Sequence, residues 1–140
     1  MAFLIHSTDD GRIPSHEYLP CSAITPKVGM ALMESSGKLA IATGKNKPTY
    51  ISMTERSAAV TAGEIIPVIR VDHDIIFETT FSATATSIKI GDKVTLHASS
   101  GMQVTATTSE TSGQDTVLIG VAEVVWMEGT ASGSRVRVRF

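Results

Sequence analysis

From Val28 onward the chain alternates apolar and polar positions in short runs, divided by Gly, Ser and Pro. This is the period of half-buried strands. The alternation is cleanest late in the chain. Val94, Leu96 and Ala98 interleave with Lys93, Thr95 and His97, and Met102, Val104 and Ala106 interleave with Gln103, Thr105 and Thr107. Ser99-Ser100-Gly101 divides the two runs, so the stretch predicts a hairpin. An earlier stretch follows the same plan. Lys27-Val28-Gly29 leads through Ser35-Ser36-Gly37 to Ala42-Thr43, as Lys89-Ile90-Gly91 leads through Ser99-Ser100-Gly101 to Ala106-Thr107. Two similar hairpins are expected, each turning at Ser-Ser-Gly, where glycine takes positive φ without penalty.

Between and after the hairpins the same reasoning predicts further strands. Residues 49–54 form one, entered through Pro48. Residues 55–62 hold Ser57, Ala58 and Ala59 and predict a single helical turn closed by Gly63. Residues 64–71 are an apolar, β-branched run, which predicts burial on both faces. Pro67 sits inside that run, and its missing N–H calls for an edge or a bulge. Asp72-His73-Asp74 reads as a turn. Residues 75–81 follow as a strand with Ile75, Phe77 and Thr79 on one face. Residues 108–115 are polar and predict a surface loop. Residues 117–127 form a long apolar strand, with a bulge or bend at Gly120. After a Gly/Ser loop the chain ends in strict alternation: Val136, Val138 and Phe140 face a core while Arg135, Arg137 and Arg139 face out. Helical signal is nearly absent. About eight to ten short strands at this length predict an all-β fold, a small β-barrel or β-sandwich with two similar hairpins.

Residues 1–26 lack this order. Pro14, Pro20 and Pro26 punctuate them and no period is sustained, so they read as an extended N-terminal arm before a barrel-like domain over 27–140. The arm is too apolar for a purely solvating tail. Phe3, Leu4, Ile5, Tyr18 and Leu19 are its candidate contacts with a neighbouring molecule.

Composition narrows the function. A chain of 140 residues predicts one domain with a real core. The net charge of -2 argues against a sequence-blind grip on nucleic acid. An oligonucleotide-binding barrel would need exposed aromatics, and these make up only 5% of the chain. The lone Cys21 forms no internal disulfide, and with no catalytic motif around it the expected role is a small buried hydrophobe. The apolar start is short and runs at once into Asp9 and Asp10, which predicts neither a signal peptide nor a membrane span. His6, His16, His73 and His97 lack zinc-ligand spacing, and no metal, nucleophile elbow, phosphate loop or acid/base pair is predicted. The row Arg135, Arg137, Arg139 is the most distinctive predicted surface feature. It serves either as an ordinary solvent face that blunts a sheet edge or as a patch for an acidic partner.

Several phrases resemble one family. They are Pro48-Thr49-Tyr50-Ile51-Ser52-Met53, then Ala62-Gly63-Glu64-Ile65-Ile66-Pro67-Val68-Ile69-Arg70-Val71, then Ile90-Gly91-Asp92-Lys93-Val94, Gly120-Val121-Ala122 and the closing Arg135-Val136-Arg137-Val138-Arg139-Phe140. Their order and spacing are similar to those of the head-decoration, or capsid cement, proteins of tailed bacteriophages. The resemblance covers 28–140. It implies a β-rich core, a homotrimer, and a structural role on the outside of an assembled shell of major capsid protein. It implies no catalysis, no cofactor, and a place on the virion after synthesis in the bacterial cytoplasm. Other tail- or fibre-associated β modules are the alternative class.

Overall fold

The computed structural model describes residues 2–106, 109–112, 115–118 and 120–140, the residues 109–112 and 115–118 by their backbone. Among them the regular structure is entirely β, in thirteen strands. After β1 (Leu4–Thr8) come β2 (His16–Pro20), β3 (Ala31–Ser35), β4 (Lys38–Ile41), β5 (Tyr50–Ser52) and β6 (Ile65–Arg70). These five form one antiparallel sheet in the order β2-β6-β5-β3-β4. Then come β7 (Ile75–Thr80), β8 (Lys93–Leu96), β9 (Val104–Thr105), β10 (Ser109–Ser112), β11 (Asp115–Leu118), β12 (Ala122–Met127) and β13 (Arg135–Arg139). The second sheet runs β1-β7-β13-β12-β8-β9, and among the described residues β10 and β11 pair only with each other.

Apart from β1 and the β10–β11 hairpin, the second sheet repeats the first. β7, β13, β12, β8 and β9 stand where β2, β6, β5, β3 and β4 stand, in the same registers. Pro20 opposes Ile65 as Thr80 opposes Arg135, and Ile51 opposes Ile69 as Glu123 opposes Arg139. Leu32 opposes Tyr50 as Val94 opposes Ala122, and Glu34 opposes Leu39 as Leu96 opposes Val104.

The loops repeat as well. Gly63 N–H donates to Cys21 O at 2.8 Å, and Gly133 N–H to Phe81 O at 2.9 Å. Gly29 N–H donates to Ser52 O at 2.8 Å, and Gly91 N–H to Val124 O at 2.7 Å. Each sheet also curls, so that the residue after β2 bridges in parallel to β4, Cys21 to Leu39, and the residue after β7 to β9, Phe81 to Val104. Neither sheet closes into a complete barrel. The similarity of the two hairpins in sequence is therefore the visible part of a tandem of two five-stranded units.

Each unit has a core inside its curl. Leu32, Leu39, Ile66 and Val68 are buried in the first, and Val94, Val104, Val136 and Val138 hold the equivalent places in the second. Every such side chain stabilises by about 1.5–3 kcal/mol. The outer face of the first unit is also partly buried, since Ala31, Ile51 and Ile69 join the core of the second. This accounts for the apolar run in 64–71: Ile66 and Val68 serve one core and Ile69 the other. Ile65 departs from the expectation at 53% exposed. Pro67 lies in an interior strand with no bulge. It faces β5 just past the last paired rung, where its carbonyl accepts from Met53 N–H at 3.0 Å. In an antiparallel rung the N–H and C=O point the same way, so the missing donor falls where the ladder has already ended.

Four expectations need correcting. Residues 1–26 are extended, but they are not an arm outside the core. β1 pairs with β7 and β2 with β6, and Phe3 is 1% exposed. Residues 55–62 form bends rather than a helical turn, because Arg56 N–H and Val60 N–H donate to Pro26 O and Ile24 O instead of locally. The expected loop 108–115 contains β10 and the start of β11, with residues 108, 113 and 114 outside the described set. The expected strand 117–127 is two strands parted around Gly120, and the bulge lies between Val124 and Trp126.

The two Ser-Ser-Gly sequences also diverge. Ser36 and Gly37, at φ 51° and 76°, make a two-residue turn between paired Ser35 and Lys38, as expected. Ser99-Ser100-Gly101 instead lies in a longer loop closed by His97 N–H to Gln103 O at 2.9 Å. There Gly101 is buried against the first hairpin and its carbonyl accepts from Ala31 N–H at 2.7 Å.

Candidate interaction surface

The final strand is built as its alternation predicts, with Val136 and Val138 fully buried and the arginines on the outer face. It does not blunt an edge, because β13 lies between β7 and β12. Nor is the row a free basic patch. Arg137 Nε donates to Glu78 Oε2 at 2.9 Å, and its guanidinium lies 4.3 Å from the centre of the Trp126 ring. Arg135 pairs with Glu128 at 3.0 Å and lies 3.9 Å from Glu78. Arg139 lies 3.7 Å from Asp9. Each arginine has a carboxylate from its own chain, so the row presents alternating sign rather than positive charge.

The pairing shifts the carboxylate equilibrium of Glu128. Hydrogen bonds from the Arg135 side chain and backbone, then its charge, hold that carboxyl below its ordinary value. A depressed folded-state pKa contributes stability above the unfolded value that is lost as pH falls through the folded one. Both groups are solvated, so the effect is small. We expect Glu128→Gln to lose less stability than the wild type when urea unfolding at pH 7 is repeated at pH 3. Equal losses would show that the pair contributes nothing.

The residues proposed from the first 26 separate sharply. Phe3 is in the core, its ring centre 5.3 Å from that of Phe140 in an edge-to-face contact. Leu19 is half-buried against the first unit's core. Leu4, Ile5 and Tyr18 are exposed, at 46%, 36% and 67%. Leu4 and Ile5 lie on the edge strand β1 and Tyr18 on the edge strand β2.

Tyr18 opposes Pro67 and Pro20 opposes Ile65, so all four share the outer face of the first unit at its β2 edge. The second unit puts Glu78, Thr80, Arg135 and Arg137 at the equivalent places. The same fold thus carries a charged surface in one copy and an apolar one in the other. Sequence reasoning missed Ile65 and Pro67 because they sit in a run that otherwise reads as buried. The equivalence of Ile65 with Arg135, which marks the position as outward, appears only in the registers of the two sheets.

Cys21 is fully buried, as expected, and burial first, then the nearby Glu64 charge, raises its thiol pKa. Among the described residues no group of three His, Cys, Asp or Glu side chains is placed to hold a metal ion. No helix among them is long and apolar enough to cross a membrane. No known protein family, curated protein or solved structure matches the chain.

Proposed function

We propose that this protein decorates the capsid of a tailed bacteriophage, binding the outside of the assembled shell as a homotrimer and bridging neighbouring major capsid subunits. The observation that carries the reading is the exposed apolar set Leu4, Ile5, Tyr18 and Ile65, held on the edge strands β1 and β2 and on β6 beside β2. Side chains of this kind on a folded surface favour a protein partner. A shell with many copies of one site lets each contact be modest, because repetition raises the effective concentration. The phrases that resemble the decoration family fall on the scaffold: 62–71 spans β6, 90–94 leads into β8, and 135–140 covers β13. The proposed contacts are Leu4, Ile5, Tyr18 and Ile65. Phe3, Leu19 and the paired arginines act within the chain.

Co-sedimentation of the full chain with empty capsid shells tests the reading. Tyr18→Ser with Ile65→Ser should weaken binding roughly tenfold to a hundredfold, the range for removing buried interface anchors. A wild-type chain that stays in the supernatant overturns the proposal.

A further inference from the structure

We propose that the first unit has an open strand position beside β2, and that it takes an extended segment of another protein, antiparallel to β2 and about as long as β1. The second unit supplies the template. There β1 lies along the outer edge of β7, with Leu4 opposite Glu78 and Thr8 opposite Ile75. Just beyond, the curl closes, since Ser82 N–H donates to Val104 O at 2.8 Å. The first unit closes the same way, through Ser22 N–H to Leu39 O at 2.9 Å. Yet β2 ends its sheet, and among the described residues no strand occupies the place that β1 takes on β7. The uncovered stretch is 15–18, equivalent to 75–78.

The edge is competent to pair. Cys21 N–H points toward β6, donating to Glu64 O at 2.9 Å. By the alternation of a strand, Leu19 and Glu17 point the same way, and His16 and Tyr18 turn their N–H and C=O groups outward. Natural edges are blunted by charge or proline. Here the prolines are Pro14 and Pro20, which flank the uncovered stretch without entering it. Glu17 is held by Arg70 in two hydrogen bonds of 3.0 and 3.1 Å. The outer face at this edge is apolar, Tyr18 with Ile65 and Pro67, where the filled edge of the second unit is charged.

A second copy of this chain paired two-fold through β2 fits poorly. Two-fold pairing of β2 with itself about Tyr18 would set the ring of Pro20 against the carbonyl of His16. Pairing about Glu17 would set two carboxylates face to face, which is destabilising. A foreign segment with an apolar residue opposite Tyr18 and a polar one opposite Glu17 meets neither obstacle. Backbone hydrogen bonds would supply affinity and the Tyr18–Ile65 surface would supply preference.

Random linear octapeptides selected on the full chain, and counter-selected on Tyr18→Pro, test the proposal without reference to capsids. Proline at 18 removes an outward N–H that no ladder bond uses, and a thermal melt reports whether the variant folds. Enriched peptides should alternate apolar and polar residues and lose at least about tenfold in affinity on the variant. On the wild type, whatever the variant does, they should slow amide exchange at His16 and Tyr18 by at least about tenfold. Unchanged exchange at both amides, no enriched peptide, or self-association of the chain through this edge would each overturn it. The proposal outlasts a failed capsid reading, since the peptides report on the edge alone.

Discussion

Phe3→Ala will destabilise the protein by about 3–5 kcal/mol, the range for emptying a buried aromatic site. Phe3 is 1% exposed, and its ring meets Phe140, whose ring centre is 5.7 Å from that of Phe77. Its N–H donates to Gly29 O at 2.9 Å. Gly29 has φ +79°, and a Cβ there would lie 2.8 Å from Phe3 O, so the glycine permits the close approach. Removing Phe3 opens a void at the end of the second unit's core and frees β1 from the edge of β7. Leu4→Ala, one residue on and 46% exposed, should change stability by no more than about 0.5 kcal/mol. Urea unfolding of the two variants gives the comparison. A loss below about 1 kcal/mol for Phe3→Ala would mean that β1 is an appendage after all. It also follows that deleting this segment is a poor test of capsid binding, because it damages the fold first.

Alanine at Gly101 will destabilise by about 3 kcal/mol or more, whereas alanine at Gly37 will cost only about 1–2 kcal/mol. Both glycines end a Ser-Ser-Gly sequence and both have positive φ, 60° and 76°. Their surroundings differ. A Cβ at Gly37 would meet nothing within 4 Å, so the left-handed backbone is the sole penalty. A Cβ at Gly101 would lie 2.7 Å from Ile41 Cγ2 and 3.0 Å from the carbonyl oxygens of Ala31 and Ala42. Two of those three neighbours are backbone atoms that cannot swing aside. Alanine there would part the loop of the second unit from the first hairpin and strain the Ala31 to Gly101 hydrogen bond. Thermal unfolding of both variants decides it, and equal losses would show that the loop does not join the units.

The surface was legible only in part. Arg135, Arg137 and Arg139 were placed outward by alternation alone, and that is where they lie. Their neutralisation was not legible, because Glu78 is far away in sequence and reaches Arg137 only through the β7–β13 pairing. Tyr18 stood out as an apolar residue in an irregular segment and is exposed. Phe3 stood out for the same reason and is buried. The difference lies in what each strand packs on, which no local feature reports.

From its own order of residues the chain determines the all-β class, the hairpin at Ser35-Ser36-Gly37, the inward face of β7 and the outward arginines. Each of these follows from a period of two or from turn chemistry, and both act over a few residues. The tertiary structure decided that two similar hairpins belong to two complete units, that β1 fills one edge while no strand among the described residues fills the equivalent one, and that one Ser-Ser-Gly turns at the surface while the other docks in the interior. Those outcomes depend on which strand lies beside which. Alternation tells a strand which face to bury, but it does not name the neighbour that covers the face.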